Sequence, residues 1–255
     1  MLGVNRYASN LATKGDLGRY PISIHALSQA IKYWLVINKA GVEESPTPLV
    51  CRVLTNYEPI KGTSFDNKIK KTLEYIGFDH VWENRCTLSI DATIEAIKRK
   101  FKSRYETYFS QFIGGELHNK GNNKLRFYCK LKTEYKVEPY LLCNTDRSTV
   151  STFAKLRISN HRLQIEKGRH TKTLAEYRFC PSCPNVVEDE THFITDCPTY
   201  KNKREPLYNY LESFMPDFPL LSNSEKCCVI MGSKETDILM PCMNFVYEIY
   251  RLRCD

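Results

Sequence analysis

The stretch Cys180-Pro-Ser-Cys183, followed by His192 and Cys197, decides the interpretation of this chain. Its spacing is Cys-x2-Cys-x8-His-x4-Cys. The two residues between the first cysteines let both sulfurs turn toward one point. The next eight are enough for a short reversal that returns His192 and Cys197 to the same point. Three sulfurs and one nitrogen are the donor set of a closed tetrahedral zinc site. The sequence therefore predicts a structural zinc ion bound by Cys180, Cys183, His192 and Cys197.

The remaining cysteines leave one alternative open. The chain has 11 cysteines, and buried cysteines often pack simply as small apolar side chains. The other eight show no comparable pairing, so zinc is the preferred interpretation. Residues 1–18 contain no apolar run of signal-peptide length, and no later stretch is long enough to cross a bilayer. We therefore expect an intracellular, reducing compartment, either nucleus or cytoplasm, and no membrane partner.

Hydrophobic periodicity predicts a mainly α fold. The clearest helix covers residues 91–112, with Asp91 as its N-cap and Gly114-Gly115 as its end. Strand-like alternation is scarce. We predict a helical region with a small Cys3His zinc-knuckle-like module near the C-terminus, divided into residues 1–85, 86–172 and 173–255. Other helices are predicted at residues 22–37, 64–76, 124–135, 148–166, 201–214 and 226–252.

The charge pattern points to a polyanionic partner. The formal net charge is +8, and the densest positive segment, residues 155–172, leads directly into the cysteine cluster. Lysine and arginine that neutralise phosphates release counterions, which gives salt-sensitive binding with little sequence preference. The alternative is that these side chains form only a solvated face. We predict contact with RNA or single-stranded DNA by Lys155, Arg157, Arg162, Lys167, Arg169, Lys172, Lys201, Lys203 and Arg204.

Three aromatic residues lie close to the cysteine cluster. Tyr177 and Phe179 can stack on unpaired bases, whereas Phe193 is expected to cover the metal core.

Catalytic motifs are absent from the sequence. It contains no adjacent aspartate pair of the kind that bridges two metal ions, no GxxxxGK[ST] phosphate loop and no GxSxG nucleophile elbow. Four protein ligands would also leave a zinc ion no open position for an activated water. We therefore expect no enzymatic activity and no small-molecule substrate.

Several stretches together resemble the post-polymerase, zinc-binding C-terminal region of LINE-type (non-LTR) retrotransposon reverse transcriptase proteins. The similar stretches are residues 2–12 (LGVNRYASNLA), 18–21 (GRYP), 31–34 (IKYW), 73–84 (LEYIGFDHVWEN), 153–159 (FAKLRIS), 165–169 (IEKGR), 178–180 (RFC) and 188–193 (EDETHF).

The resemblance implies a helical region that holds template RNA and target DNA beside a polymerase, with the four cysteine and histidine residues as zinc ligands. The chain lacks the polymerase aspartates and the endonuclease of full-length members. It is therefore expected to be a non-catalytic nucleic-acid-binding region derived from such a protein. The alternative is a structural or protein-interaction domain in which zinc holds the fold and the positive charge serves solubility.

Overall fold

The structure, a computed structural model, describes residues 2–4, 6–39, 65–115 and 124–254. The predicted mainly α fold is confirmed: these residues form helices and turns and no β-strand. The α-helices are α1 (Asn10–Leu17), α2 (Ile22–Lys39), α3 (Phe65–Ile76), α4 (Asp79–Glu83), α5 (Ile90–Ile113), α6 (Arg126–Leu131), α7 (Arg147–Arg157), α8 (Gln164–His170), α9 (Lys201–Phe214), α10 (Asn223–Gly232) and α11 (Thr236–Cys254).

The chain divides into two compact units. The first comprises Met1–Arg19 and Phe109–Asp255, and the second comprises Tyr20–Tyr108. This division differs from the three ranges predicted from the sequence. All four predicted zinc ligands and all nine predicted nucleic-acid residues belong to the first unit.

The second unit is built around the apolar faces of α2, α3 and α5. Trp34 of α2 is almost fully buried and stacks on Trp82, with ring centroids 4.9 Å apart and planes 11° from parallel. The indole nitrogen of Trp34 donates a hydrogen bond to Asp66 at 3.1 Å. The other core residues of the second unit are Ile31, Leu35, Ile69, Leu73, Ile76, Val81, Ile94, Ile97 and Phe101.

The core of the first unit is organised by α11, which packs against α7, α9 and α10. Seven residues of α11 are buried, at the three- and four-residue spacing that lines one helical face: Ile238, Leu239, Cys242, Met243, Phe245, Val246 and Ile249. Three of the predicted zinc ligands, Cys180, Cys183 and Cys197, belong to this same cluster of buried residues, and His192 is buried as well. The metal module is therefore part of the main core rather than an appendage.

Several helix limits differ from the prediction. Residues 148–166 form no single helix: α7 ends at Arg157, and the chain turns through Ser159, whose φ of 52° is left-handed, before α8 begins at Gln164. Residues 226–252 likewise form two helices, α10 and α11. Helix α5 begins at Ile90, so Asp91 lies in its first turn and not at the N-cap. Residue 64, the predicted start of the helix at 64–76, lies outside the described residues.

Among the residues that the structure describes, no helix is both long and apolar enough to traverse a lipid bilayer.

Candidate metal centre and cationic surface

The first two cysteines lie on a tight reversal of the chain. Phe179 and Val187 form an isolated antiparallel bridge, and the Cys180 amide donates to the Val186 carbonyl at 2.7 Å. Between these pairs, Asn185 adopts a left-handed backbone with φ of 60°, a conformation that asparagine tolerates well. The amide of Cys183 donates to the carbonyl of Cys180 at 3.3 Å. This turn brings the two thiols to one side of the chain.

The other two donors lie at the ends of one π-helical turn, His192–Asp196. Asp189 begins this turn by accepting a hydrogen bond from the His192 amide at 2.8 Å. The Cys197 amide then donates to the His192 carbonyl, also at 2.8 Å. Because a π-helical turn closes over five residues, it brings residues 192 and 197 together despite the four residues between them.

The four side chains converge as the spacing predicts. All are buried, and their donor atoms lie within 4.8 Å of one another. The Cys197 sulfur lies 4.0 Å from that of Cys180 and 3.8 Å from that of Cys183. A tetrahedral ion with metal–sulfur bonds of about 2.3 Å separates its sulfur ligands by about 3.8 Å, whereas a disulfide requires about 2.05 Å. The cluster is therefore arranged to bind a metal ion and contains no disulfide.

The histidine distinguishes this cluster from simple packing of cysteines. Both ring nitrogens of His192 are buried and have no hydrogen-bond partner among the described residues. The nearest carboxylate oxygen, on Asp196, lies 3.6 Å from Nδ1, which is longer than a hydrogen bond. A buried polar group without a partner costs roughly 1–3 kcal/mol. Coordination of a cation by one of the two nitrogens would remove that cost for the coordinating nitrogen.

Burial favours the protonated form of two of the thiols. Burial raises the pKa of Cys180 above its usual value and raises the pKa of Cys183 to about 12. A thiolate is the form that binds metal, and a bound cation stabilises it. A bound cation would therefore offset the effect of burial on Cys180 and Cys183.

Arg204, predicted to contact nucleic acid, instead supports the metal centre. Its side chain is buried, and its guanidinium donates to the carbonyls of Ile194 at 3.0 Å and Cys197 at 2.8 Å. The Ile194 carbonyl lies in the middle of the π-helical turn and that of Cys197 directly after it, so Arg204 holds one ligand in position. The prediction for Arg204 is wrong because its charge is used inside the protein.

Arg157, also predicted to bind phosphate, is 1% exposed. Its guanidinium pairs with Glu138 at 2.6 Å and Asp16 at 3.5 Å, and donates to the Met231 carbonyl. Burial lowers the pKa of Arg157, but the two carboxylates outweigh that effect and leave the pKa above its usual value. The prediction for Arg157 is wrong for the same reason.

The acidic residues of the cysteine loop form an ionic network that sequence reasoning missed. Glu190 is buried between Arg126 at 2.6 Å and His161 at 2.9 Å. Arg126 also bonds to Glu166 of α8 at 3.0 Å. Glu188 accepts from Arg253 of α11 at 2.5 Å. These carboxylates therefore fasten the loop to the basic helices. The only sequence signal for this role was the run of three acidic residues at 188–190.

The other seven predicted nucleic-acid residues reach the surface wholly or in part, but three of them are ion-paired. Lys201 lies 3.7 Å from Glu205, Lys203 lies 3.1 Å from Glu248, and Arg169 lies 3.6 Å from Glu166. The side chains of the other four form no hydrogen bond or ion pair within the part of the chain that the structure describes. They are Lys155, Arg162, Lys167 and Lys172, which we call the free cations.

Three of the free cations border two adjacent cavities. The larger, about 520 Å³, is lined by His161, Arg162, Lys167, His170, Arg253 and Cys254. The smaller, about 280 Å³, is lined by Lys155, Asn160, Arg162 and Tyr250, with His161, Gly3 and Val4. Arg162 and His161 line both, so the two cavities share one wall.

The aromatic residues near the cluster separate into two groups. Phe193, expected to cover the metal core, is buried in the same cluster as the three cysteine ligands and packs edge-to-face on Tyr200, with ring centroids 5.1 Å apart. Tyr177 and Phe179 are 59% and 37% exposed and contact each other edge-to-face at 6.2 Å. Their role in base stacking remains a prediction.

Comparisons with known proteins identify no relative of this chain. No protein-family model matches it, and neither a curated protein nor a solved structure is significantly similar to it.

Proposed function

We propose that this chain is a zinc-stabilised, non-catalytic module that binds RNA or single-stranded DNA. We further propose that it derives from the C-terminal region of a LINE-type retrotransposon reverse transcriptase protein. The origin rests on the sequence resemblance alone. The binding function rests on one observation above all: a single segment, residues 155–172, carries four cations without partners in the described residues, beside the buried metal cluster.

The donor set supports zinc as the bound ion. Three thiolates and one imidazole suit a soft or borderline cation and exclude the oxygen-preferring Mg²⁺ and Ca²⁺. A dication with three thiolates carries a net charge of about −1, so the centre would repel a phosphate. A structural role follows, in which the ion fixes the turn at Cys180 and the π-helical turn against α10 and α11.

Metal content tests the zinc assignment. The purified full chain should contain one equivalent of zinc by mass spectrometry, and Cys183→Ser should lose it. Cys86→Ser is the matched control, because Cys86 is exposed and belongs to the second unit. A chain without a bound transition metal, or a Cys183→Ser variant that keeps its full equivalent, would contradict the assignment.

The free cations support nucleic-acid binding because an unpaired cation can neutralise a phosphate without first breaking an internal ion pair. Polyanion binding through such contacts releases counterions, and its dependence on salt measures the number of contacts. The exposed rings of Tyr177 and Phe179 add a surface suited to stacking with bases.

Salt-dependent binding of a single-stranded RNA, followed by fluorescence anisotropy, tests this function. The slope of log affinity against log salt changes by about 0.7 for each phosphate that is no longer neutralised, so Lys155→Gln/Lys172→Gln should reduce it by about 1.4. Lys201→Gln/Lys203→Gln removes the same net charge from lysines that are already paired, and should change the slope less. Equal effects of the two double variants would indicate only non-specific attraction, and no RNA binding at low salt would overturn the proposal.

A further inference from the structure

The larger cavity combines a recess with an excess of positive charge. Its volume of about 520 Å³ lies within the range of roughly 300–1,000 Å³ that small-molecule sites occupy. It is bordered by the segment before α8, by α8 itself and by the C-terminal end of α11. A recess of this size accommodates more than a single inorganic ion.

The charges of the cavity wall do not cancel. Arg253 is balanced by Glu188, and His161 is paired with Glu190. Arg162 and Lys167 have no such partner among the described residues, and His170 adds an imidazole that reaches the surface.

The nearby acidic residues leave this excess uncompensated. Glu166 of α8 bonds to Arg126 and lies near Arg169. No acidic residue lines the cavity within the described ranges. The carbonyl end of α11 disfavours an anion there, but Arg253 in its last turn opposes that effect.

The chemistry of these side chains selects a phosphate group. The guanidinium of Arg162 presents a planar fork that matches two phosphate oxygens, and Lys167 supplies a second, compact charge. The backbone amide of Arg162 donates to the Tyr250 hydroxyl at 3.1 Å, which fixes the start of this side chain between the two cavities.

We propose that this cavity binds the phosphate group of a nucleotide through Arg162, Lys167 and His170, with the remaining volume occupied by the sugar and base. The inference deepens the proposed function and rests on it, because it names the place where one nucleotide of a bound strand is held. The nucleotide is either part of a bound RNA or DNA strand or a free nucleotide in solution, and the same side chains would bind its phosphate group in both cases.

Calorimetric titration of the full chain with adenosine monophosphate, up to millimolar concentration, tests the site directly. Binding should be present in the wild type and in Lys201→Gln/Lys203→Gln, and should fall roughly tenfold for each cation removed in Arg162→Gln and Lys167→Gln. A parallel anisotropy experiment asks whether adenosine monophosphate displaces a single-stranded RNA.

The outcomes separate the two proposals. Displacement of RNA, together with weaker binding of both ligands to Arg162→Gln/Lys167→Gln, supports a strand-binding subsite. Nucleotide binding that the double variant abolishes, without any RNA binding, supports the cavity as a site for free nucleotides and overturns the proposed function. Absence of nucleotide binding, or binding that the double variant leaves unchanged, overturns the cavity proposal even if RNA still binds through Lys155 and Lys172.

Discussion

Replacement of Arg157 by methionine distinguishes a buried structural arginine from a phosphate-binding one. The guanidinium lies between Asp16 and Glu138, donates to the Met231 carbonyl and sits 5.2 Å from the centroid of the Tyr140 ring. Asp16 is fully buried, and its side chain accepts a hydrogen bond from the Tyr140 hydroxyl at 2.7 Å. In the variant, the Asp16 carboxylate therefore keeps the hydrogen bond from Tyr140 but loses its ion pair with Arg157.

The expected cost is about 3–5 kcal/mol, the usual penalty for removing one member of a buried ion pair. The loss of the guanidinium destabilises Glu138 less than Asp16, because the Lys132 ammonium remains 2.5 Å from the Glu138 carboxylate. A domain is stable by only about 5–15 kcal/mol, so the substitution removes a large part of the total. The double variant Arg157→Met/Asp16→Asn should recover part of the loss, since it no longer buries an uncompensated carboxylate.

Urea unfolding followed by far-UV circular dichroism measures these changes. Lys155→Met is the matched control: it removes the same charge from the same helix, and its side chain has no partner among the described residues, so it should change stability by no more than about 0.5 kcal/mol. Unfolding of Arg157→Met at the wild-type urea concentration, together with weaker RNA binding, would contradict a structural role for Arg157. That result would instead support phosphate binding by Arg157, as predicted from the sequence.

Three further substitutions test the supports of the fold and the metal centre. Arg204→Met removes the hydrogen bond to the carbonyl of the ligand Cys197, so it should weaken metal binding by about 10–100-fold in competition with a chelating dye. Lys203→Met is the control and should leave metal affinity unchanged. Ser222→Ala removes the capping box of α10 and should cost about 0.5–2 kcal/mol in urea unfolding; an equal loss in Ser224→Ala would contradict this explanation. Gly168→Ala places a methyl group 2.6 Å from the side chain of Arg178, which is buried and held by hydrogen bonds to carbonyls. The free energy of unfolding should fall by about 1–3 kcal/mol, and unchanged stability would contradict this contact.

The candidate metal centre was the part of the structure that the sequence predicted best. Its four donors lie within eighteen residues, so their convergence depends on local turns that spacing alone constrains. The turn type was not predictable, because nothing in residues 192–197 distinguishes a π-helical turn from an α-helical one before Arg204 and α10 pack against it.

The buried arginines could not be recognised from local sequence. Arg157 depends on Asp16, which lies far earlier in the chain, and on Glu138 in a separate turn. Arg178 was not singled out either, although its guanidinium donates to the carbonyls of Ile165 and Thr173. A count of basic residues treats each one as exposed, whereas only tertiary contacts decide which of them serve the interior.

The burial of these arginines does not reduce the net positive charge of the remaining residues. The charged side chains that are buried in the described residues comprise four bases and four acids: Lys132, Arg157, Arg178, Arg204, Asp16, Glu166, Glu188 and Glu190. Their formal charges cancel, so the net excess of +8 is carried by the remaining residues. The error in the sequence prediction therefore concerned which cations face solvent rather than how many are unbalanced. A polyanion would meet the same total charge through fewer of the predicted contacts, centred on the free cations Lys155, Arg162, Lys167 and Lys172.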